Sequence, residues 1–306
     1  MRAWTYDQHG DDVLRLTDLP APKVGPGELL VEVRAASVNP VDWKLVAGGL
    51  DAMMDTLFPA VPGWDVAGVV TAVGPDVPEF SPGDEVVAYA RKDVVHGGTF
   101  AEQVSVPVRT AARRPTGVSW EEAASLPLAG LTAHQALDRL EVGPSDVVLI
   151  HNGAGGVGSL AIQLARHRGA RVIASASSDQ HDRLTRLGAE PVAYGDGLVE
   201  AVRALAPEGV DAVADLVGGV LDDTLAVLAD GGRHVSIADP DVQDSGGAWL
   251  WVRPDAGDLA HLVALVEAGT LVVEIEDTFE LDQLPAAFAR SREGHVHGKL
   301  AMHVSD

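Results

Sequence analysis

The sequence predicts an α/β fold in two domains, one built on a doubly wound parallel sheet and the other rich in β-strands. Three observations lead there. The chain has 306 residues, about twice a typical domain. As far as residue 118 it consists of short apolar runs cut by Pro and Gly. From residue 119 strand-like and helix-like segments alternate.

In the first part the runs 28–36, 65–73, 85–89 and 100–106 are separated by turns such as Val24-Gly25-Pro26-Gly27 and Ser81-Pro82-Gly83-Asp84, the pattern of a compact β domain. Ser119 followed by Glu122 predicts a capping box that opens a helix. Strands at 147–151, 171–175, 192–194, 210–217 and 233–238 then alternate with helices ending at 168 and spanning 179–187, 198–205 and 221–229. Such alternation predicts a parallel sheet covered by helices. A further strand is expected at 249–252, and Leu259, Leu262, Val263 and Val266 mark another amphipathic helix. The tail from residue 270 alternates again and is expected to return to the first domain. The expected division is 1–126 completed by 256–306, with 127–255 as the parallel-sheet domain.

Composition excludes several function classes. There is no cysteine, so disulfides, thiolate zinc sites, iron–sulfur clusters and cysteine nucleophiles are all absent. The net charge of −23 repels phosphate backbones and anionic lipid surfaces, which argues against nucleic-acid and membrane partners. No run approaches the roughly 18 apolar residues of a membrane span. The N-terminus lacks an apolar signal core, and cytoplasmic residence is expected.

The most informative segment is Val147-Val148-Leu149-Ile150-His151-Asn152-Gly153-Ala154-Gly155-Gly156-Val157-Gly158. An apolar strand runs into a glycine-rich turn, and Val157, Leu160, Ala161, Leu164 and Ala165 then mark one face of a helix. Glycines 153, 155 and 158 allow a sharp turn, close approach of backbone amides to a pyrophosphate, and tight packing of helix on strand. The diphosphate of a dinucleotide would lie at the helix amino end, held by the 153–158 backbone, Ala154, Gly156 and Val157 included.

Several further segments carry a resemblance: 37–44 (Ser-Val-Asn-Pro-Val-Asp-Trp-Lys), 62–70 (Pro-Gly-Trp-Asp-Val-Ala-Gly-Val-Val), 128–137 (Leu-Ala-Gly-Leu-Thr-Ala-His-Gln-Ala-Leu) and 294–299 (Gly-His-Val-His-Gly-Lys). With the glycine turn they make the chain similar, over essentially its whole length, to the zinc-independent quinone oxidoreductase branch of the medium-chain dehydrogenases/reductases. The resemblance implies a GroES-like barrel domain, a Rossmann domain, and an active site in the cleft between them. Zinc-dependent relatives carry a cysteine just before the segment of Asp42, a His-Glu pair after the glycine at 63, and a cysteine near 129. Here those positions hold Asn39, Trp64-Asp65 and Ala129, so no zinc is expected.

A carboxylate about 20 residues beyond the glycines would bind the ribose 2′-hydroxyl of NADH. The stretch 171–178 has none. Ala176 leaves room for a 2′-phosphate, and Ser175, Ser177 and Ser178 offer hydroxyls to it. His181, where NADPH-using relatives often carry lysine, and Arg183 add basic groups, and Tyr194 resembles a family tyrosine near the adenosine phosphate. NADPH is therefore expected ahead of NADH. Capping of the helix from residue 179 is a compatible role for Ser177 and Ser178.

By the same resemblance Asn39 and Asp42 lie near the nicotinamide and Thr132 faces the cofactor, while the ends of later strands, Val217, Ser236, Ile237 and Ala238, reach the ribose and carboxamide. Asn39 is expected to donate to the substrate oxygen. Asp42 is either catalytic, or it orients its loop or holds Lys44. Trp43, Trp64 and Phe58 are candidates for the wall of the substrate pocket. The expected reaction is NADPH-dependent reduction of a quinone or enone by a homodimer paired through the strand of Trp249 and Trp251. The competing readings are an enoyl-thioester reductase, a Rossmann-type methyltransferase, against which the β-rich N-terminal third counts, and a non-catalytic dinucleotide sensor or structural protein. His295 and His297 lack a third ligand and are expected on a surface turn.

Overall fold

A computed structural model describes residues 1–305. Its first unit begins with a two-stranded antiparallel ribbon, β1 (Arg2–Thr5) and β2 (Arg15–Asp18). There follow β3 (Glu28–Val38), the helix α1 (Pro40–Val46), β4 (Asp65–Val73), β5 (Glu85–Tyr89), β6 (Gln103–Pro107), β7 (Ala111–Arg113) and α2 (Trp120–Ala124). β3 is the hub, antiparallel to both β4 and β6. Its Leu29, Val31, Val33 and Ala35 are buried and alternate with half-buried Leu30, Glu32 and Arg34, as a strand with one inward face requires. Gly68 lets β4 approach it closely, because a Cβ there would lie 2.1 Å from the Glu32 carbonyl. Ser119 caps α2 and exchanges side-chain-to-backbone bonds with Glu122.

The second unit, 129–253 with 270–272, is reached through α3 (Pro127–Arg139) and contains β8 (Val147–Ile150), α4 (Gly156–His167), β9 (Arg171–Ala176), α5 (His181–Leu187), β10 (Glu190–Ala193), α6 (Leu198–Leu205), β11 (Val210–Asp215), α7 (Leu221–Val227), β12 (Leu228–Ser236) and β13 (Ala248–Trp249). The strands form one parallel sheet in the order β10-β9-β8-β11-β12-β13, the doubly wound arrangement of a Rossmann fold. Central strands have helices to bury against on both faces, so Val148, Leu149, Ile150, Val172, Ile173, Ala212 and Val213 are all buried. Three elements differ from expectation, the first being β12, which starts at Leu228, inside the helix expected over 221–229, and ends at Ser236. β13 has two residues, because β12 ends at Ser236 and offers no longer ladder. The helix expected from 179 starts as a 3-10 turn at Ser178–Gln180 before α5.

The chain then returns to the first unit through α8 (Ala256–Glu267), β14 (Ile275–Glu280), α9 (Leu284–Glu293) and β15 (Lys299–His303). β15 joins β3 antiparallel and β14 joins β15 parallel, completing the sheet order β14-β15-β3-β4-β5-β7 with β6 on β3. The division by contacts falls after Leu128 and before Pro254. Residues 270–272 are held to the second unit by Gln163, whose side-chain amide exchanges two hydrogen bonds with the backbone of Val272.

Candidate active site

The glycine turn lies at the carboxyl edge of the parallel sheet, between β8 and α4. Asn152 adopts φ +57, a left-handed conformation that Asn tolerates better than most residues. The three glycines are required by space: a Cβ on Gly153 would lie 2.8 Å from Ala174 Cβ, one on Gly155 2.8 Å from Asn152 Nδ2, and one on Gly158 2.1 Å from the Asn152 carbonyl oxygen. The N-cap of α4 is Gly155, so no side chain caps the helix. The first amides of α4, at Gly156, Val157 and Gly158, have no intrahelical acceptor. Unblocked amides at the positive end of a 12-residue helix fit a diphosphate.

Beyond the end of β9 the predicted 2′-phosphate residues separate. Ser175 is turned inward, a correction to its expected role: its buried hydroxyl meets His151 Nδ1 at 3.3 Å and accepts from Asn152 N at 3.4 Å. The reason is local, since β9 is a central strand buried on both faces. Ser177 is half-buried and Ser178 exposed. Ser177 is the N-cap of the 3-10 turn, yet its hydroxyl makes no cap hydrogen bond. Nε2 of His181 is buried without a hydrogen-bond partner. Arg183 donates from Nη1 to the Ala154 carbonyl at 2.7 Å, tying α5 to the glycine turn. Tyr194, just past β10, is exposed. A hydroxyl outside the cap, an orphaned imidazole nitrogen and an anchored guanidinium fit a phosphate ester better than a ribose hydroxyl.

His151 is a packing residue. It is buried, its Nε2 lies 3.4 Å from Thr224 Oγ1, and burial lowers its pKa from the ordinary histidine value. Ser236, expected to reach the cofactor, is another correction: it is fully buried and its hydroxyl donates to Asp215. Val217 is exposed and Ile237 and Ala238 follow β12, so the loops at both strand ends remain near the edge where a dinucleotide binds.

In the first unit, the asparagine and aspartate before and within α1 belong to a buried polar cluster. Asn39, the N-cap of α1, is 3% exposed; Asp42 and Asp65 are fully buried, and Lys299 is 5% exposed. The Asn39 backbone N–H donates to Asp42 Oδ2 at 2.8 Å. Asn39 Nδ2 donates to Asp65 Oδ2 at 2.9 Å, and the other oxygen of Asp65 accepts from Leu128 N at 2.8 Å. The Lys299 ammonium donates to Asn39 Oδ1 and, at 3.4 Å, to the Val38 carbonyl. Burial pushes Asp42 up to about 8, helped by the nearby charge of Asp65. Burial likewise pushes Asp65 to about 6 against the pull of Lys299, and lowers Lys299. Burial thus works against charge throughout the cluster, raising both acids and lowering the lysine.

Asn39 therefore does not offer a free amide to a substrate oxygen, as expected from sequence. Its Nδ2 is committed because a buried Asp65 needs donors. Asp42 does not hold Lys44, which is exposed with its ammonium 5.5 Å from the Trp43 ring centre; Asp42 orients the loop as half of a capping box. Lys299 was missed as a site residue, because it lies far along the chain and only the β15–β3 pairing brings it to Asn39. Thr132 is buried on α3, in the second unit.

Of the predicted pocket walls, Trp64 is a core residue, 5% exposed and edge-on to Tyr89. Trp43 is half-buried, donating from Nε1 to Ser291 Oγ at 3.1 Å with the Arg292 guanidinium over its ring. Phe58 is 42% exposed, follows exposed Leu57 in sequence, and packs edge-to-face with Tyr6 and His9. His295 is exposed on the turn between α9 and β15. Among the described residues no three His, Cys, Asp or Glu side chains gather as metal ligands. Of the positions that the resemblance assigns to zinc ligands, Asn39, Trp64 and Ala129 carry no carboxylate, imidazole or thiol, and the one carboxylate, Asp65, accepts from Asn39 and Leu128.

Two family profiles match this chain: the alcohol dehydrogenase GroES-like domain over residues 25–116 and the zinc-binding dehydrogenase domain over 187–302. The chain is 35% identical to an NADPH-dependent alkenal/one oxidoreductase of Arabidopsis thaliana chloroplasts, covering 99% of this chain and 79% of that protein. It is 33% identical to a chloroplastic quinone oxidoreductase of Triphysaria versicolor, covering 99% and 98%. The quinone oxidoreductase of Coxiella burnetii superimposes with a TM-score of 0.88 at 36% identity, covering 100% of this chain and 99% of that one. With its Rossmann unit, its GroES-like unit and these relatives, the chain belongs to the quinone oxidoreductase branch of the medium-chain dehydrogenases/reductases.

Proposed function

We propose that this chain is an NADPH-dependent oxidoreductase that transfers hydride to a quinone or an α,β-unsaturated carbonyl without zinc. The observation that carries the cofactor choice is the end of β9. Residues 171–178 hold no carboxylate, Asp179 following in the 3-10 turn, the Ser177 hydroxyl is not spent on the cap, and Arg183 is anchored 2.7 Å from the Ala154 carbonyl. Relatives named for quinones and alkenals support the acceptor class.

A bound nicotinamide supplies the hydride; the chain supplies binding, orientation and a water-poor surface. In this reading the amides of Gly156, Val157 and Gly158 hold the diphosphate, and Ser177, Ser178, His181 and Arg183 surround the 2′-phosphate, with Tyr194 beside the adenosine. Thr132 is the polar side chain of α3 that meets the reacting groups. Asn39 and Asp42 act by fixing the start of α1. Exposed Phe58, with Met53 and Leu57, offers an apolar surface suited to a planar acceptor. Quinones and enones gather negative charge on oxygen as hydride arrives, so a hydrogen-bond donor suffices and no Lewis acid is required. The chain works as a homodimer in this proposal, because β13 ends the sheet with half-buried Trp249 on an open edge.

The test is oxidation of NADPH and NADH by purified protein with a soluble naphthoquinone, a short enone and an enoyl thioester. Quinone- or enone-dependent turnover preferring NADPH supports the proposal. Turnover confined to the thioester transfers it to enoyl-thioester reduction. Tight NADPH binding with no turnover leaves a dinucleotide-binding protein without this activity.

A further inference from the structure

β11 and β12 end side by side, with Asp215 and Ser236 as register partners. Both are buried, Asp215 to 3% exposure. A buried carboxylate is costly unless donors meet it. Oδ1 of Asp215 accepts from Val217 N at 2.9 Å and Gly218 N at 2.8 Å, and Oδ2 accepts from the Ser236 hydroxyl at 2.7 Å. Ser236 Oγ in turn accepts from Ala238 N at 3.2 Å and Asp239 N at 2.9 Å. The Ile237 amide donates to the Asp215 carbonyl at 3.1 Å. Two loops, 217–218 and 237–239, therefore hang from one pair of side chains. They also touch: Gly218 has φ +88, and a Cβ on it would lie 3.0 Å from Ala238 Cβ.

A doubly wound sheet binds a dinucleotide across its two halves. Here the half made of β8, β9 and β10 carries the glycine turn and the ribose position past β9, which belong to the diphosphate and adenosine. The other half presents the two hung loops, with Val217 52% exposed on the first. We propose that Asp215 is a positioning residue for the nicotinamide half of the cofactor, acting through Ser236 and the backbone of both loops. This rests on the reading that the chain binds NADPH.

The polarity of the chain of bonds makes the charge essential. In Asp215→Asn the amide oxygen still accepts from Val217 and Gly218, but the NH2 faces a serine oxygen that already accepts two N–H groups. The Ser236 hydroxyl hydrogen loses its acceptor, and the 237–239 loop loses its anchor. Ser236→Ala cuts the same link while sparing the Asp215 turn.

The experiment titrates the wild-type chain, Asp215→Asn and Ser236→Ala by calorimetry with NADPH and with 2′,5′-ADP, which carries the adenosine and its 2′-phosphate but no nicotinamide. Both variants are expected to bind 2′,5′-ADP as the wild type does and NADPH about tenfold more weakly, the loss of one hydrogen bond to a charged group. Equal losses for both ligands, or no loss for NADPH, overturn the assignment. Ser236→Ala alone decides it if Asp215→Asn does not fold. A wild-type chain that binds neither ligand overturns the cofactor reading itself, an outcome distinct from any pattern among the variants.

Discussion

Lys299, on the last strand, donates to the side-chain oxygen of Asn39, 260 residues earlier, while the amide nitrogen of the same asparagine donates to Asp65. One side-chain amide thus bridges a buried cation and a buried anion, with its dipole aligned to both. Breaking a buried pair from one side costs more than the pair contributes, because it strands the other charge. Lys299→Met is expected to destabilise the chain by about 3–5 kcal/mol. Adding Asp65→Asn should cost less than the sum of the single changes. Urea unfolding of the two single variants and the double measures the coupling; strict additivity would show that the two charges do not communicate.

Burial raises both acids of the cluster, Asp65 to about 6 and Asp42 to about 8. Between the unfolded value of 3.8 and the folded one, the folded chain keeps a proton that the unfolded chain has released. Stability from these groups therefore falls as pH rises. Lys299, lowered by burial, works in the opposite sense in the window below its ordinary 10.5. Asp42→Asn imitates the protonated acid and keeps an acceptor for the Asn39 amide. Its advantage over the wild type should widen by about 1 kcal/mol per pH unit from pH 5 to pH 8 and then level off. Thermal melts across that range test it, and a constant difference would show that Asp42 is ionised throughout.

Gly158→Ala places a methyl 2.1 Å from the Asn152 carbonyl oxygen, and backbone cannot yield as a flexible side chain can. The turn must open to accept it. Loss of NADPH binding is expected, with a fall in melting temperature, while Gly83→Ala serves as a control: its φ of +97 strains the backbone but no atom lies within 4 Å of the new methyl. Cofactor fluorescence and circular dichroism report the two effects, and full binding by Gly158→Ala would refute the close-packing argument.

Much of this was legible in sequence where the signal is local. The capping box at Ser119 needs two residues three apart, and the glycine turn lies within a dozen. What was not legible depends on pairing at long range. Nothing near Lys299 points to Asn39 until β15 lies against β3. Ser175 read as a hydroxyl donor to the 2′-phosphate and Ser236 as part of a strand end that reaches the cofactor, but both are buried, with their hydroxyls at His151 and Asp215 respectively. Trp64 read as a pocket wall because aromatic residues suit planar ligands, and the strand beside it took the ring into the core.

The end of β9 provides the sharpest test of cofactor choice. An NADH site carries a carboxylate there, which accepts from the ribose 2′-hydroxyl and repels a 2′-phosphate. Ser177→Asp introduces that group where the native hydroxyl makes no cap hydrogen bond. The same side chain at an N-cap is well tolerated, so folding should be preserved. NADPH affinity is expected to fall about tenfold or more and NADH affinity to hold or rise, since one unfavourable charge contact at short range is worth about 1–2 kcal/mol in a partly exposed setting. Fluorescence titration with both cofactors measures the ratio. An unchanged preference would mean that the phosphate is read elsewhere, and would remove the end of β9 from the argument for NADPH.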